Sequence, residues 1–212
     1  MDTSRHVARR LLEVGAVKLQ PQEPFTWASG LRSPIYCDNR VLLSYPAIRT
    51  EIIQALGGVA GAIQGVDGVA GVATAGIPHG ALLADRLQLP FIYIRSSAKE
   101  HGRRNRIEGR ITPGHRYLVV EDLISTGGSS LQAVEALRAA GGEAAATVAI
   151  FTYGFPAAER AFERAGVPLH TLSNYTVLLE EAEARGSISA ADVAALGDWR
   201  QDPRAWSENF SA

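Results

Sequence analysis

The chain is predicted to be an α/β protein built on a central, mostly parallel sheet flanked by helices. Three observations lead there. Short apolar runs of strand length alternate with segments whose apolar residues recur at helical spacing. The intervening helices are long enough to cover both faces of a parallel sheet. Ahead of that alternation, Ala16 to Asn39 is broken by Pro21, Pro24, Gly30 and Pro34 into short extended pieces, which read as an irregular flap or small sheet outside the core.

Taken in order, Val7, Leu11, Leu12 and Val14 predict a first helix from His6 to Val14, ended by Gly15. Pro46 suits the first position of a helix carrying Ile48, Ile52, Ile53 and Leu56. Val66 to Val72 reads as a strand, Ala73 to Gly76 as its turn, and Pro78 to Leu87 as a helix presenting Leu82, Leu83 and Leu87. Phe91 to Ile94 is the next strand, followed by a charged stretch. Tyr117 to Val120 then leads through a small-residue loop to a helix with Leu131, Val134 and Leu137 on one face, stopped at Gly141-Gly142. Ala144 to Phe151 and Leu169 to Leu172 complete the strands, and Ser189 to Trp199 reads as a capped helix packing on the surface. The expected division is 1–45 for the first helix and flap, 46–186 for the core with a mobile loop at 95–110, and 187–212 for a terminal helix and tail.

Composition bounds what such a protein does. At 212 residues the chain suits one α/β domain with an added subdomain, and 46% hydrophobic with 20% charged residues is ordinary for a soluble protein. A net charge of −1 argues against a nucleic-acid binder that works by charge alone. No apolar run approaches the ~18 residues of a membrane span, and Met1 to Arg5 leads into an amphipathic segment, so neither a span nor a signal peptide is expected. A single cysteine, Cys37, fits a reducing compartment, and a cytoplasmic location is expected. The five histidines have no metal-ligand spacing, so no zinc site is expected.

The most informative stretch is Tyr117 to Ser130, in which an apolar strand ends in Glu121-Asp122 and continues as Leu123-Ile124-Ser125-Thr126-Gly127-Gly128-Ser129-Ser130. A strand, a loop of small residues and a helix N-terminus make an anion cradle: backbone N–H groups point at the ligand and the helix dipole favours negative charge. Carboxylates beside it repel a bare phosphate, so they face sugar hydroxyls or a divalent cation. A ribose phosphate has both features. An ordinary turn needs one Asx or Gly, not this density of small residues. The stretch is neither a Walker loop, lacking Gly-Lys-Ser/Thr, nor a dinucleotide fingerprint. Arg95 to Glu108 has almost no apolar residue to bury. It reads either as a solvated hairpin tip or as a cationic lid over a diphosphate, and its place after a core strand favours the lid.

Val119 to Ser130 resembles the ribose-phosphate motif of the type I phosphoribosyltransferases. Phe25 to Arg40 resembles the N-terminal hood of the orotate phosphoribosyltransferases within that group, and Arg95 through Lys99 to His101 resembles the start of their mobile loop. The resemblance, from about Leu11 to about Leu179, implies the type I phosphoribosyltransferase fold with a small N-terminal hood. It also implies transfer of the phosphoribosyl group from phosphoribosyl diphosphate to orotate. The 5′-phosphate would lie on Leu123, Ile124, Ser125, Thr126, Gly127, Gly128 and Ser129, the ribose on Glu121 and Asp122, and the diphosphate on Ala75, Gly76, Arg95, Lys99 and His101. Glu121, Asp122, Lys99 and His101 would be catalytic, and Ser125 and Tyr36 would meet orotate. Mg²⁺ would arrive on the diphosphate without direct protein ligands, and a homodimer would share the loop across its interface. Binding of nucleic acid or membrane is not implied.

The chain departs from that pattern at cations. Ala28, Ala75 and Ser96 stand where a basic residue is frequent, and Thr152-Tyr153-Gly154 stands where an arginine would meet the orotate carboxylate. Arg32, Arg40, Arg103, Arg104 and Arg106 are available replacements, and Arg32 or Arg40 is expected to pair with that carboxylate. The competing readings are a purine-base phosphoribosyltransferase and a non-catalytic nucleotide-sensing regulator. The orotate-type hood disfavours the first, and the absence of a basic face or added helix pair disfavours the second.

Overall fold

The structure, a computed structural model, describes residues 2–27, 30–96 and 106–208. Its contacts divide the chain into two compact units, Met1–Tyr45 with Ser173–Ala212, and Pro46–Leu172.

In the first unit, α1 (Thr3–Glu13) is capped by Asp2, whose carboxylate accepts the Ser4 N–H at 3.0 Å. Its buried face is Val7, Ala8 and Leu11. The flap resolves into two short antiparallel ladders. β1 (Val17–Leu19) sets Lys18 opposite Tyr36 of a strand at Ile35–Cys37, and β2 (Phe25–Thr26) pairs with β3 (Arg32–Ser33); Ile35–Cys37 is β4. A 3₁₀ stretch, Asn39–Ser44, follows.

The second unit begins with α2 (Pro46–Gly61), which buries Ile48, Ile52, Ile53 and Leu56 as its spacing requires. Then come β5 (Gly68–Val72), α3 (Gly76–Leu87), β6 (Phe91–Ile94), β7 (Ile107–Glu108), β8 (Arg116–Ile124), α4 (Gly128–Ala139), β9 (Glu143–Thr152), α5 (Pro156–Ala165) and β10 (Leu169–Asn174). The six strands form one sheet in the order β10-β9-β8-β5-β6-β7. β5 is parallel to β6 and β8, and β8 to β9, while β7 turns back antiparallel on β6. From β5 the chain moves to one side for β6, then crosses to the other side for β8. That reversal opens a crevice beyond the carboxyl ends of β5 and β8, where sheets of this kind bind ligands. Ile92, Ile94, Val119, Val134, Leu137 and Phe162 lie in the core behind it, each contributing about 1.5–3 kcal/mol by leaving water.

Two differences from the sequence-based expectation matter here. β8 runs to Ile124, not Val120, because β9 is long enough to pair with it as far as Ile124↔Thr152. The helix α5 was not expected: it buries only Ala158 and Phe162, too few large side chains to show a period.

The rest of the first unit holds α6 (Tyr175–Ala184), α7 (Ala190–Gln201) and α8 (Pro203–Glu208). α6 packs on α1 through Glu181, a side chain only 5% exposed that accepts hydrogen bonds from Arg5 at 3.1 Å and Arg9 at 3.2 Å. That pairing draws α6 into the first unit, so the division falls after Leu172, not at 186. α7 starts with a reciprocal capping box between Ser189 and Asp192. Its buried face is Leu196 and Trp199. Trp199 is fully buried, edge-on to Trp27 at 5.8 Å and against Tyr175 at 5.5 Å. Among the described residues, no helix is long and apolar enough to cross a membrane.

Candidate active site

Two helices begin at the crevice, and glycine lets each come close. At Gly76 a β-carbon would collide with the Val120 carbonyl oxygen, so only glycine permits the first turn of α3 to rest on β8 beside Glu121. Gly127, before α4, has φ +81°, and a β-carbon there would lie 2.8 Å from the Phe162 ring. The loop is thereby drawn back against the core. The first-turn N–H groups of α4 have no intrahelical acceptor, and the helix dipole makes this end electropositive. Thr126, Gly128 and Ser129 are exposed there, Ser125 is half-buried, and Gly127 and Ser130 are buried.

The acidic pair is not symmetric. Because β8 continues through both residues, one side chain is buried and its neighbour half-buried. Glu121 is 5% exposed. Its Oε2 accepts the Ser129 hydroxyl at 3.2 Å and the Ser130 hydroxyl at 3.1 Å, and its Oε1 accepts the Asp122 N–H at 3.2 Å. Burial, reinforced by the charge of Asp122, pushes the Glu121 carboxyl up to about 8, against the partial offset of the Asp122 N–H and the Ser130 hydroxyl. Glu121 therefore ties strand to helix, while Asp122 is the more accessible carboxylate. Leu123 is half-buried; Ile124 is fully buried, and its carbonyl accepts the Tyr153 N–H at 3.1 Å and the Thr152 hydroxyl at 3.1 Å.

On the other side of β5, Arg95 follows β6 with its guanidinium 3.6 Å from Glu108. Ala75 precedes α3 without a side-chain cap. A small cavity of about 30 Å³ lies among Val72, Ile94, Arg95, Arg106, Ser129 and Gln132. A larger one of about 550 Å³ lies behind α5, lined by Phe155, Phe162, Val167 and Leu169 with Glu159 and Glu163. It offers an anion only repulsion and is not assigned to the site.

The first unit holds the remaining described candidates. Tyr36 is 42% exposed and its ring lies 5.6 Å from that of Phe25. Arg32 is exposed, with its backbone N–H on the Ser207 hydroxyl at 2.9 Å. Arg40 is held by Asp38 through two bonds of 2.6 and 2.9 Å; that arginine lowers the Asp38 carboxyl. Lys99, His101, Arg103, Arg104 and Ala28 lie outside the described residues.

Sequence reasoning placed Ser130 in the loop without assigning it a role, and passed over Gln132. A faint signal existed for the second, since Ser129 and Gln132 are three apart and share a helical face. Among the described residues no group of three or more ligating side chains stands close enough to hold a metal ion by itself.

Comparison with known proteins agrees with this geometry. Residues 43–167 match the model of the phosphoribosyl transferase domain family. An orotate phosphoribosyltransferase of Bacteroides thetaiotaomicron is 55% identical over 203 residues, covering 95% of this chain and 96% of its own. The crystal structure of orotate phosphoribosyltransferase from Aeropyrum pernix superposes with a TM-score of 0.75 at 32% identity, covering 86% of this chain and 99% of its own. The UMP synthase of Leishmania donovani superposes with a TM-score of 0.79 at 30% identity, covering 92% of this chain and 42% of its own.

Proposed function

This chain belongs to the orotate phosphoribosyltransferase family, and on that footing we propose how its own residues divide the work of the transfer. The enzyme joins orotate to 5-phosphoribosyl 1-diphosphate, yielding orotidine 5′-monophosphate and diphosphate, in pyrimidine biosynthesis. One observation supports the assignment of the phosphoribosyl site above all others: the acidic pair ending β8 leads straight into the N-terminus of α4 where the strand order reverses.

The N–H groups and hydroxyls from Ser125 to Ser129 hold the 5′-phosphate, with Leu123 and Ile124 setting the backbone path into the loop. Asp122 accepts hydrogen bonds from the ribose hydroxyls and favours the cationic sugar that forms as the C1–O bond breaks. Glu121 shares the ribose and, through Ser129 and Ser130, keeps the loop in its binding shape. Ala75 and Gly76 turn the start of α3 toward the diphosphate, and Arg95 supplies charge there. Lys99 and His101 are assigned to the same group on their sequence pattern. The base falls to Tyr36, Ser125 and Arg32; Arg40 is the weaker candidate because Asp38 already occupies its guanidinium. Mg²⁺ carried on the diphosphate oxygens would neutralise charge on the leaving group.

Orotate consumption dependent on phosphoribosyl diphosphate, followed spectrophotometrically beside hypoxanthine, xanthine and uracil, tests the substrate. A homodimer sharing the loop is tested by mixing two inactive variants, Lys99→Ala and Asp122→Asn. Random mixed dimers with one intact site restore about a quarter of wild-type activity, and no recovery counts against sharing.

A further inference from the structure

Phosphoribosyl diphosphate gathers most of its negative charge at the diphosphate. Among the described residues, the carboxyl end of β6 sets two arginines together. The Arg95 N–H donates to the Arg106 carbonyl at 2.8 Å, and the Arg106 Nε donates back to the Arg95 carbonyl at 3.0 Å. The second bond uses only Nε, so both terminal nitrogens of Arg106 remain for another acceptor. The two side chains line the small cavity with Ser129 and Gln132, the exposed start of α4. Arg95 is shared with Glu108 at 3.6 Å, whereas Arg106 makes no ion pair among the described residues. A half-buried guanidinium sharing a cavity with a helix N-terminus, with no counter-charge among the described residues, is stabilised by an anion lying between them.

We propose that Arg106 is a second diphosphate-binding residue, its terminal nitrogens forming charge-assisted hydrogen bonds to the leaving group beside Arg95. This rests on the placement of the diphosphate argued above. It gives the chain, which carries Ser96 after Arg95, a second cation from the returning arm of the hairpin. The planar fork suits adjacent phosphoryl oxygens better than an ammonium does.

The test uses the full-length enzyme with inorganic diphosphate as the probe in calorimetric titration, together with steady-state kinetics. Arg106→Gln should raise the diphosphate Kd and the KM for phosphoribosyl diphosphate by about tenfold or more, with the KM for orotate within about twofold. Arg106→Lys, which also loses the Nε bond but keeps the charge, should return to within about threefold of wild type. A lysine variant as impaired as the glutamine variant would mean that Arg106 only holds the hairpin, and the proposal falls. If Arg106→Gln leaves the diphosphate Kd unchanged while Arg95→Ala weakens it, the placement stands and the role of Arg106 is wrong. If neither changes it, the placement itself is wrong.

Discussion

On the assignment proposed above, the loop after β8 and the strand end after β6 serve the two anionic ends of one substrate, and they are made differently. The first is braced before any ligand arrives: Glu121 gathers two hydroxyls and an amide, and Gly127 sits against Phe162. The second rests on two arginines joined by one backbone bond and one from the Arg106 Nε; among the described residues Glu108, 3.6 Å from Arg95, is the acid paired with them. If that assignment holds, a phosphate that stays on the sugar through the reaction meets a braced cradle, and a diphosphate that must depart meets long arginine side chains.

The largest expected effect separates the braced end from its accessible acid. Asp122→Asn should lower kcat/KM by about a thousandfold, as loss of a charge aimed at the developing cation does, with little change in thermal midpoint. A large fall in stability instead would mean that Asp122, like Glu121, holds the fold.

The second prediction concerns Glu121 and pH. Its folded carboxyl titrates near 8, against an ordinary value of 4.5. Between those values the folded protein keeps a proton that the unfolded chain has lost, so stability declines as pH rises across that window. The decline reaches up to about 1.4 kcal/mol per pH unit. Glu121→Gln cannot titrate, so urea denaturation from pH 6 to 8.5 should show a flatter slope for the variant and a relative gain at the alkaline end. Parallel curves would refute the buried-acid picture.

The smallest effect sharpens the bracing itself. Ser130→Ala removes one hydroxyl from a buried carboxyl at a cost of about 1 kcal/mol, seen as a lower denaturation midpoint. The KM for phosphoribosyl diphosphate should rise severalfold, with kcat nearly kept. An unchanged KM would show that the loop holds its shape without the bond.

Much of this site can be read in order along the chain. Two acids, two glycines and four small hydroxyl residues within a dozen positions specify an anion cradle, because helix dipoles and exposed N–H groups are local properties. Which acid is buried is a different matter. Glu121 turns inward because β8 continues to Ile124, and it continues because β9 supplies partners as far as Thr152. Arg106 meets Arg95 only through the return of β7 onto β6, with Ile94 opposite Ile107. Arg40 reads as a free cation until Asp38 is seen to hold it. Trp199 looks like one residue of an amphipathic surface helix until Trp27 and Tyr175 enclose it.

Chain order alone thus yields the α/β class, most of the helices and the chemistry of the phosphate loop, since these follow from spacing and from residue types acting on their neighbours. Burial of one carboxyl, the meeting of two arginines and the enclosure of a tryptophan come from strands and helices pairing across long stretches of sequence. Solvent exclusion and charge proximity arise only when such distant segments are brought together.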